Sequence, residues 1–290
     1  MNYSANRFAA YRRQSRQVAR LLAAKIVNLF GSGRSGFFIP YRYANSLSTP
    51  YYTVVDERFR AASAGFLEIL KWMTEFRHQL LGLAGPAPTP RWQQDWFTGL
   101  DGAAAYTIIR KIRPRRIVEI GSGHSTRFMA QARDDGALTC THKCIDPSPR
   151  ATLTGLNVDW TQELFGSRHF DFIRELEPND VLFIDSSHVG MPGTDVDLIF
   201  ADVLGFLPRG VWVHVHDIFL PDPYPKHWTW RGYNEQSLVA MLVAMRSVTP
   251  VFASHYARTR LAEALNVHVV NELPIPAGVP ETSLWFTIAD

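Results

Sequence analysis

Downstream of residue 90, apolar runs of strand length alternate with stretches of helical periodicity, and this alternation constrains the fold more than any other feature of the chain. It is the pattern of a parallel sheet whose strands are joined by helices. Strands are expected at Arg116–Ile120, Leu138–Asp146, Val158–Gln162, Asp180–Asp185 and Val211–Asp217, with two further candidates at Pro250–Ala257 and Leu284–Ile288. Helices fit at Ser125–Asp134, Pro149–Leu156, Val196–Leu204 and Asn234–Arg246. The reading is an α/β protein: a doubly wound, mostly parallel seven-stranded sheet with helices on both faces.

The run Gly85-Pro-Ala-Pro-Thr-Pro90 separates this region from a different kind of sequence. Residues 1–90 are expected to form an N-terminal helical extension and linker, and residues 91–290 the main domain. Within the extension, Phe59, Phe66, Ile69, Leu70, Met73, Phe76 and Leu80 recur at helical spacing between Asp56 and Leu83. That stripe should dock on the main domain. Gly31–Gly36 reads as a loop.

Six of the 30 basic residues lie in the first 30 positions with no acid among them, so the net charge of +3 hides a slightly acidic main body. A body of that sign has no concentrated basic face for a nucleic-acid backbone. The basic segment can form an amphipathic helix over residues 4–29, which would suit a membrane surface or a protein partner, or be a plain surface helix. Its apolar stretch Val18–Phe30 is interrupted by Arg20 and Lys25 and falls short of the roughly 20 residues a membrane span needs. Cys140 and Cys144 in one strand would stand roughly 13 Å apart, beyond disulfide reach. Reduced cysteines and no secretory signal point to a cytoplasmic protein.

In an open parallel sheet, ligands gather beyond the carboxyl ends of the strands where the order reverses. The first strand ends in Val118-Glu-Ile-Gly-Ser-Gly-His-Ser-Thr126, a glycine turn running into a helix, where backbone can approach a ligand closely. A nicotinamide fingerprint needs a small residue three places after Gly123, and Thr126 stands there. The second strand ends in Asp146, 23 residues after Gly123, suited to accept from ribose hydroxyls or to start a turn. The fourth ends in Asp185-Ser-Ser-His188 and the fifth in His216-Asp217. Oxygen ligands of this kind suit magnesium, and a histidine shifts preference toward manganese, iron or zinc. Equally, His216 can be a buried histidine bonded to backbone, as His142 and His214 in mid-strand are expected to be, and Asp217 can cap a turn.

The E-x-G-x-G-x-S arrangement resembles motif I of class I S-adenosylmethionine-dependent methyltransferases, whose fold is Rossmann-like. The resemblance implies a cofactor site of Glu119, Gly121, Ser122, Gly123, Ser125, Asp146 and Asp185. At the fourth and fifth strand tips the chain is similar to catechol-type O-methyltransferases. That implies a divalent cation (Mg or Mn) on Asp185, His216 and Asp217, with His188 at the position of the proton-taking base. The stretches Ile184–Asp195 and Val215–Pro221, with Tyr224-Pro225 and Tyr233-Asn-Glu-Gln236, resemble the bacterial methyltransferase domain 24 family over residues 92–257.

The proline- and aromatic-rich run Pro221–Arg231 reads as a lid over an acceptor. Tyr224, Trp228, Trp230 and Tyr233 can stack on a ring or sugar, and Asn234 and Glu235 can bind hydroxyls, although Asn234 can equally cap the helix that starts there. The expectation is an EC 2.1.1 enzyme methylating a hydroxyl of a small-molecule or sugar acceptor with metal assistance. The alternatives are a metal-independent N- or O-methyltransferase and a cofactor-binding or assembly protein without turnover.

Overall fold

The computed structural model describes residues 41–266 and 268–289, together with Ala19, Leu22, Ala23 and Ile26. Apart from those four, the expected helix over residues 4–29 and the loop Gly31–Gly36 lie outside the described residues. No helix among the described residues is long and apolar enough to cross a membrane.

Seven strands form one sheet: β1 Arg116–Ile120, β2 Thr141–Ile145, β3 Asp159–Thr161, β4 Val181–Ile184, β5 Trp212–Val215, β6 Val248–Ala253 and β7 Leu284–Ile288. Their order is β3-β2-β1-β4-β5-β7-β6. Only β7 runs against its neighbours. The order reverses between β1 and β4, so the switch point of the sheet lies at their carboxyl ends. There the register pairs Ile120 with Ile184 and Ile184 with Val215, so the three strands end level. The expected Rossmann-like, mostly parallel α/β sheet is the fold observed. β4 is buried along its whole length, as a strand covered on both faces requires. Pro250, which has no N–H for a ladder, sits in the edge strand β6 beside an irregularity of register.

The longer helices are α1 Thr53–Glu75, α2 Leu100–Ile112, α3 His124–Asp135 and α4 Glu235–Ala244. The apolar stripe of α1 is buried, and its Phe66 ring meets Phe252 of β6 at 6.1 Å and Tyr256 at 5.8 Å. The single helix expected over Asp56–Leu83 ends its first piece at Glu75. The backbone turns tight at Phe76, whose N–H reaches Met73, and a short helix Arg77–Gly82 follows. Two expectations are corrected. Pro149–Leu156 is a run of bends and turns, in which the Arg127 guanidinium donates to the Thr152 carbonyl and the Thr152 hydroxyl accepts the Thr154 N–H in place of helical partners. The sixth strand starts at Val248 and ends at Ala253, after which Ser254–Arg260 is helical. The helix expected over Val196–Leu204 runs from Asp195 to Phe206 with a wider π turn at Ile199–Val203.

Strand β7 is tied to the start of α2. The Asp101 carboxylate accepts from the backbone N–H groups of Thr282 and Ser283 at about 2.9 Å, and Glu281 accepts from the Leu100 N–H and from Arg258. Residues 51–223 and 233–290 make up one compact unit. Residues 41–50 and 224–232 belong to a second, in which Tyr224 stacks on Trp228 at 6.3 Å and Arg231 lies 3.9 Å over the Trp228 ring.

Removing the Phe66 ring leaves a cavity between α1 and β6. Phe66→Ala should lose about 3–5 kcal/mol of stability in urea unfolding, against little change for an exposed site such as Leu67→Ala.

Candidate active site

The level strand ends are joined by backbone hydrogen bonds that run past the ladder. Gly121 N–H donates to Ile145, Asp185 N–H to Ile120 and His216 N–H to Ile184, each at 2.9 Å. This draws the chain leaving β1 against the chain leaving β4. A Cβ on Gly121 would lie 1.8 Å from the Asp185 carbonyl oxygen, and Gly121 has φ +86°. Glycine is therefore a steric requirement here.

Glu119, expected against the cofactor, is completely buried two residues before Gly121. Its Oε1 meets His142 Nε2 at 2.5 Å and accepts from the Cys144 thiol, while its Oε2 accepts from Ser125 and Thr126. Thr126 Oγ1 in turn takes the Gly123 N–H. Glu119 thus pins the first turn of α3 to β1, and the Ser125 hydroxyl is engaged in that network. Burial, with Glu119 beside it, pushes the Cys144 thiol far up, so it stays protonated. Beyond the β2 tip, Asp146 takes Ser122 N–H at 2.7 Å and Ser122 Oγ at 3.1 Å on one oxygen and Ser148 N–H on the other. Trp160 donates to its carbonyl and lines an adjacent pocket of about 410 Å³ with Pro149, Leu153 and Val158.

Asp185 and His188 follow β4, and His216 and Asp217 follow β5. The His188 ring is buried and meets three carboxylates: its Nε2 lies 3.2 Å from Asp185 Oδ1 and 3.4 Å from Asp217 Oδ2, and its Nδ1 lies 2.9 Å from Glu235 Oε2. Two backbone positions that L-residues rarely adopt aim these groups, His188 at φ 59° and Asp217 at φ 57°. The turn at His188 is held by the N–H groups of Asn234 and Glu235 on its carbonyl. The Asn234 amide bonds Gly190 in both directions instead of capping α4. Tyr233 lies 4.6 Å from the His188 ring.

Glu235 is fully buried on the stripe of α4 that also carries Val239 and Val243, so its carboxylate serves His188 and is closed to solvent. A glutamate four and eight places before buried valines is the sequence signal for this partnered charge. His188 is buried behind Asp185, a third of whose side chain is exposed. Asp185 Oδ2 receives no protein donor among the described residues. Tyr224 and Trp228 belong to the second compact unit.

Burial alone would drive the His188 proton off, but hydrogen bonds to Asp185 and Glu235 and the Asp217 charge outweigh it and raise its pKa well above 6.5. Burial would raise Asp185, but the charge of His216 and the hydrogen bond from His188 hold it below the usual carboxylate range. Glu235 is raised, because burial outweighs its partner. His216 is raised by Asp185 and Asp217 against the pull of burial. His214, stacked 3.7 Å over Phe183 and bonded to Ser283, is kept neutral by burial.

The expected cation donors are not gathered as a metal set. His216 Nε2 donates to the Trp96 carbonyl at 3.1 Å while its Nδ1 is buried without a hydrogen-bond partner among the described residues, and the His188 ring stands between Asp185 and Asp217. Donor atoms of Asp185, His216 and Asp217 are not all within 4.8 Å of one another. Among the described residues the one trio that meets this spacing is Glu119, His142 and Cys144, whose donor atoms are already hydrogen-bonded together.

Residues 118–218 match the model of a family described as Methyltransferase domain. No curated protein matches the chain. Among solved structures it is similar to the SAH-bound methyltransferase PaMTH1 of Podospora anserina, with a TM-score of 0.38 and 18% identity over 88% of this chain and 100% of that one. It is similar also to the O-methyltransferase TomG of Streptomyces achromogenes in complex with SAM (TM-score 0.41, 17% identity, 77% and 90% covered). A third is an O-methyltransferase from Bacillus cereus in complex with SAH (TM-score 0.41, 12% identity, 86% and 96% covered).

Two outcomes follow from the geometry. Gly121→Ala should lose at least about 2 kcal/mol in thermal unfolding, since the new methyl overlaps backbone that cannot yield without parting β1 from β4. A histidine raised on folding stabilises below its ordinary pKa and loses that contribution as pH rises through the raised value. Wild type should therefore exceed His188→Gln in melting temperature near neutrality, and the gap should narrow as pH climbs into the alkaline range.

Proposed function

We propose that the chain, whose residues 118–218 match a methyltransferase-domain model, transfers a methyl group from S-adenosylmethionine to a hydroxyl oxygen of a small acceptor. The observation that carries this reading is the pair of acid-bearing strand tips on either side of the Gly121 turn, Asp146 beyond β2 and Asp185 beyond β4. When bound, the cofactor supplies a methyl carbon on a sulfonium, which an oxygen nucleophile can attack directly.

The residues fit that cofactor. After its three hydrogen bonds Asp146 has one acceptor site left, on Oδ1, for a ribose hydroxyl. The pocket beside Trp160 has room for a flat base. Gly121 and Gly123 let the backbone pass close to the methionine portion. The acidic tips favour a cation in the crevice, and the level strands hold acceptor and cofactor in line.

Asp185 is the carboxylate that meets the acceptor. Its Oδ2 takes the hydroxyl proton as the oxygen gains carbon, a moment at which that proton is far more acidic than in the free alcohol, so a weak base suffices. His188 acts through Asp185, keeping it ionised and aimed, and Glu235 fixes the angle of the ring. Tyr233 lies beside the ring. Metal assistance is no part of this reading.

Calorimetric titration tests it. S-adenosylmethionine should bind in the micromolar range, and Asp146→Ala should weaken it about tenfold to a hundredfold, the loss of one charge-assisted hydrogen bond. With an acceptor found by screening hydroxyl compounds, Asp185→Asn should lower kcat and leave cofactor affinity nearly unchanged. No binding by the wild type would overturn the reading in favour of an assembly protein without turnover.

A further inference from the structure

We propose that the His188 ring is the resident cation of this site: bound through both nitrogens to Asp185, Asp217 and Glu235, it takes the place between the two strand tips that a divalent ion would need, and the site works without a metal.

The geometry carries this without reference to any bound group. Ionised carboxylates only accept hydrogen bonds, so a ring hydrogen-bonded through Nδ1 to Glu235, with Asp185 and Asp217 at 3.2 and 3.4 Å from Nε2, is held as the positively charged imidazolium. It is also anchored. The His188 carbonyl takes two N–H groups from the start of α4, and the neighbouring Gly190 is clamped in both directions by Asn234. A non-glycine residue held at φ 59° in a fully buried position shows that the surrounding contacts impose this placement. Asp217, on the facing strand tip, is held at φ 57°. Meanwhile the nitrogen nearest Asp217 on His216 lies 3.7 Å from that carboxylate and donates to the Trp96 carbonyl, which removes it as a ligand. A cation on Asp185 and Asp217 would have to expel an imidazolium that satisfies Glu235 behind it, leaving a buried carboxylate with no partner.

The catalytic consequence rests on the methyl-transfer reading, but occupancy of the site does not, and the test is chosen accordingly. Manganese(II) alone serves as the probe, its binding to the purified full chain followed by electron paramagnetic resonance, with and without S-adenosylmethionine. Wild type should show no specific binding. His188→Ala, which empties the space between the acids, should bind Mn(II) at least about tenfold more tightly than wild type, and His188→Ala combined with Asp217→Asn should lose that gain. His188→Asn, smaller than histidine and uncharged, replaces the alanine variant if that one fails to fold. Wild-type binding that Asp185→Asn or Asp217→Asn abolishes would overturn the proposal, as would a folded His188 variant with no gain in affinity. Failure of the methyl-transfer reading would appear separately, as no cofactor binding in a protein whose manganese results are unchanged.

Discussion

Every group in the crevice takes its position from one close approach, that of the Gly121 turn to the Asp185 carbonyl. Two strands can end level in register and still diverge at once. Here the hydrogen bonds of the sheet continue one residue past each strand, and only a residue without a side chain lets the two exits lie in contact. The consequence is that Asp146, Ser122 and Asp185 form a continuous rim across the switch point, with Asp217 one strand further along. Glu119 supports the same turn from below, through hydroxyls on the first turn of α3.

The second organising fact is electrostatic. Three carboxylates and two histidines are gathered at the tips of β4 and β5, mostly removed from water. Such a group is tolerable only where opposite charges are paired, and even here Glu235 Oε1 and His216 Nδ1 are left without a hydrogen-bond partner among the described residues. The partners come from well separated parts of the chain: Glu235 from a helix after β5, Trp96 from the segment before α2, and Asp101, whose charge also raises His216, from the α2 start. A buried ion group of this kind is a poor source of stability, and its persistence is more readily understood as placing charge where a reaction needs it.

Much of this was legible in the sequence. Alternating apolar runs located all seven strands, with the longest errors at their ends, and the glycine turn and the acids at strand tips stood out because strand ends are where ligands meet such sheets. The errors share a physical cause. Pro149–Leu156 has enough apolar residues for a helix, but the Arg127 guanidinium donates to the Thr152 carbonyl and the Thr152 hydroxyl accepts the Thr154 N–H, groups that a helix would have paired within its own backbone. The relation of Glu235 to His188 spans 47 residues and depends on how α4 docks, which no local pattern encodes. Tertiary partners also decide that Asn234 clamps a loop instead of capping its own helix. Strand propensity carried the sixth strand past Ala253, where the chain turns helical at Ser254.

The placement of β7 bears on how the chain is made. It is synthesised after β6, yet it lies between β5 and β6 and pairs with both. Until β7 emerges from the ribosome, β6 has no partner in the sheet and the edge of β5 stands open, with the aromatic face of α1 lacking part of its cover. The five parallel strands can assemble during translation, but the last two must join together and late. A nascent chain stalled in that interval would present an unpaired edge beside exposed rings, the combination that chaperones recognise and that aggregation exploits.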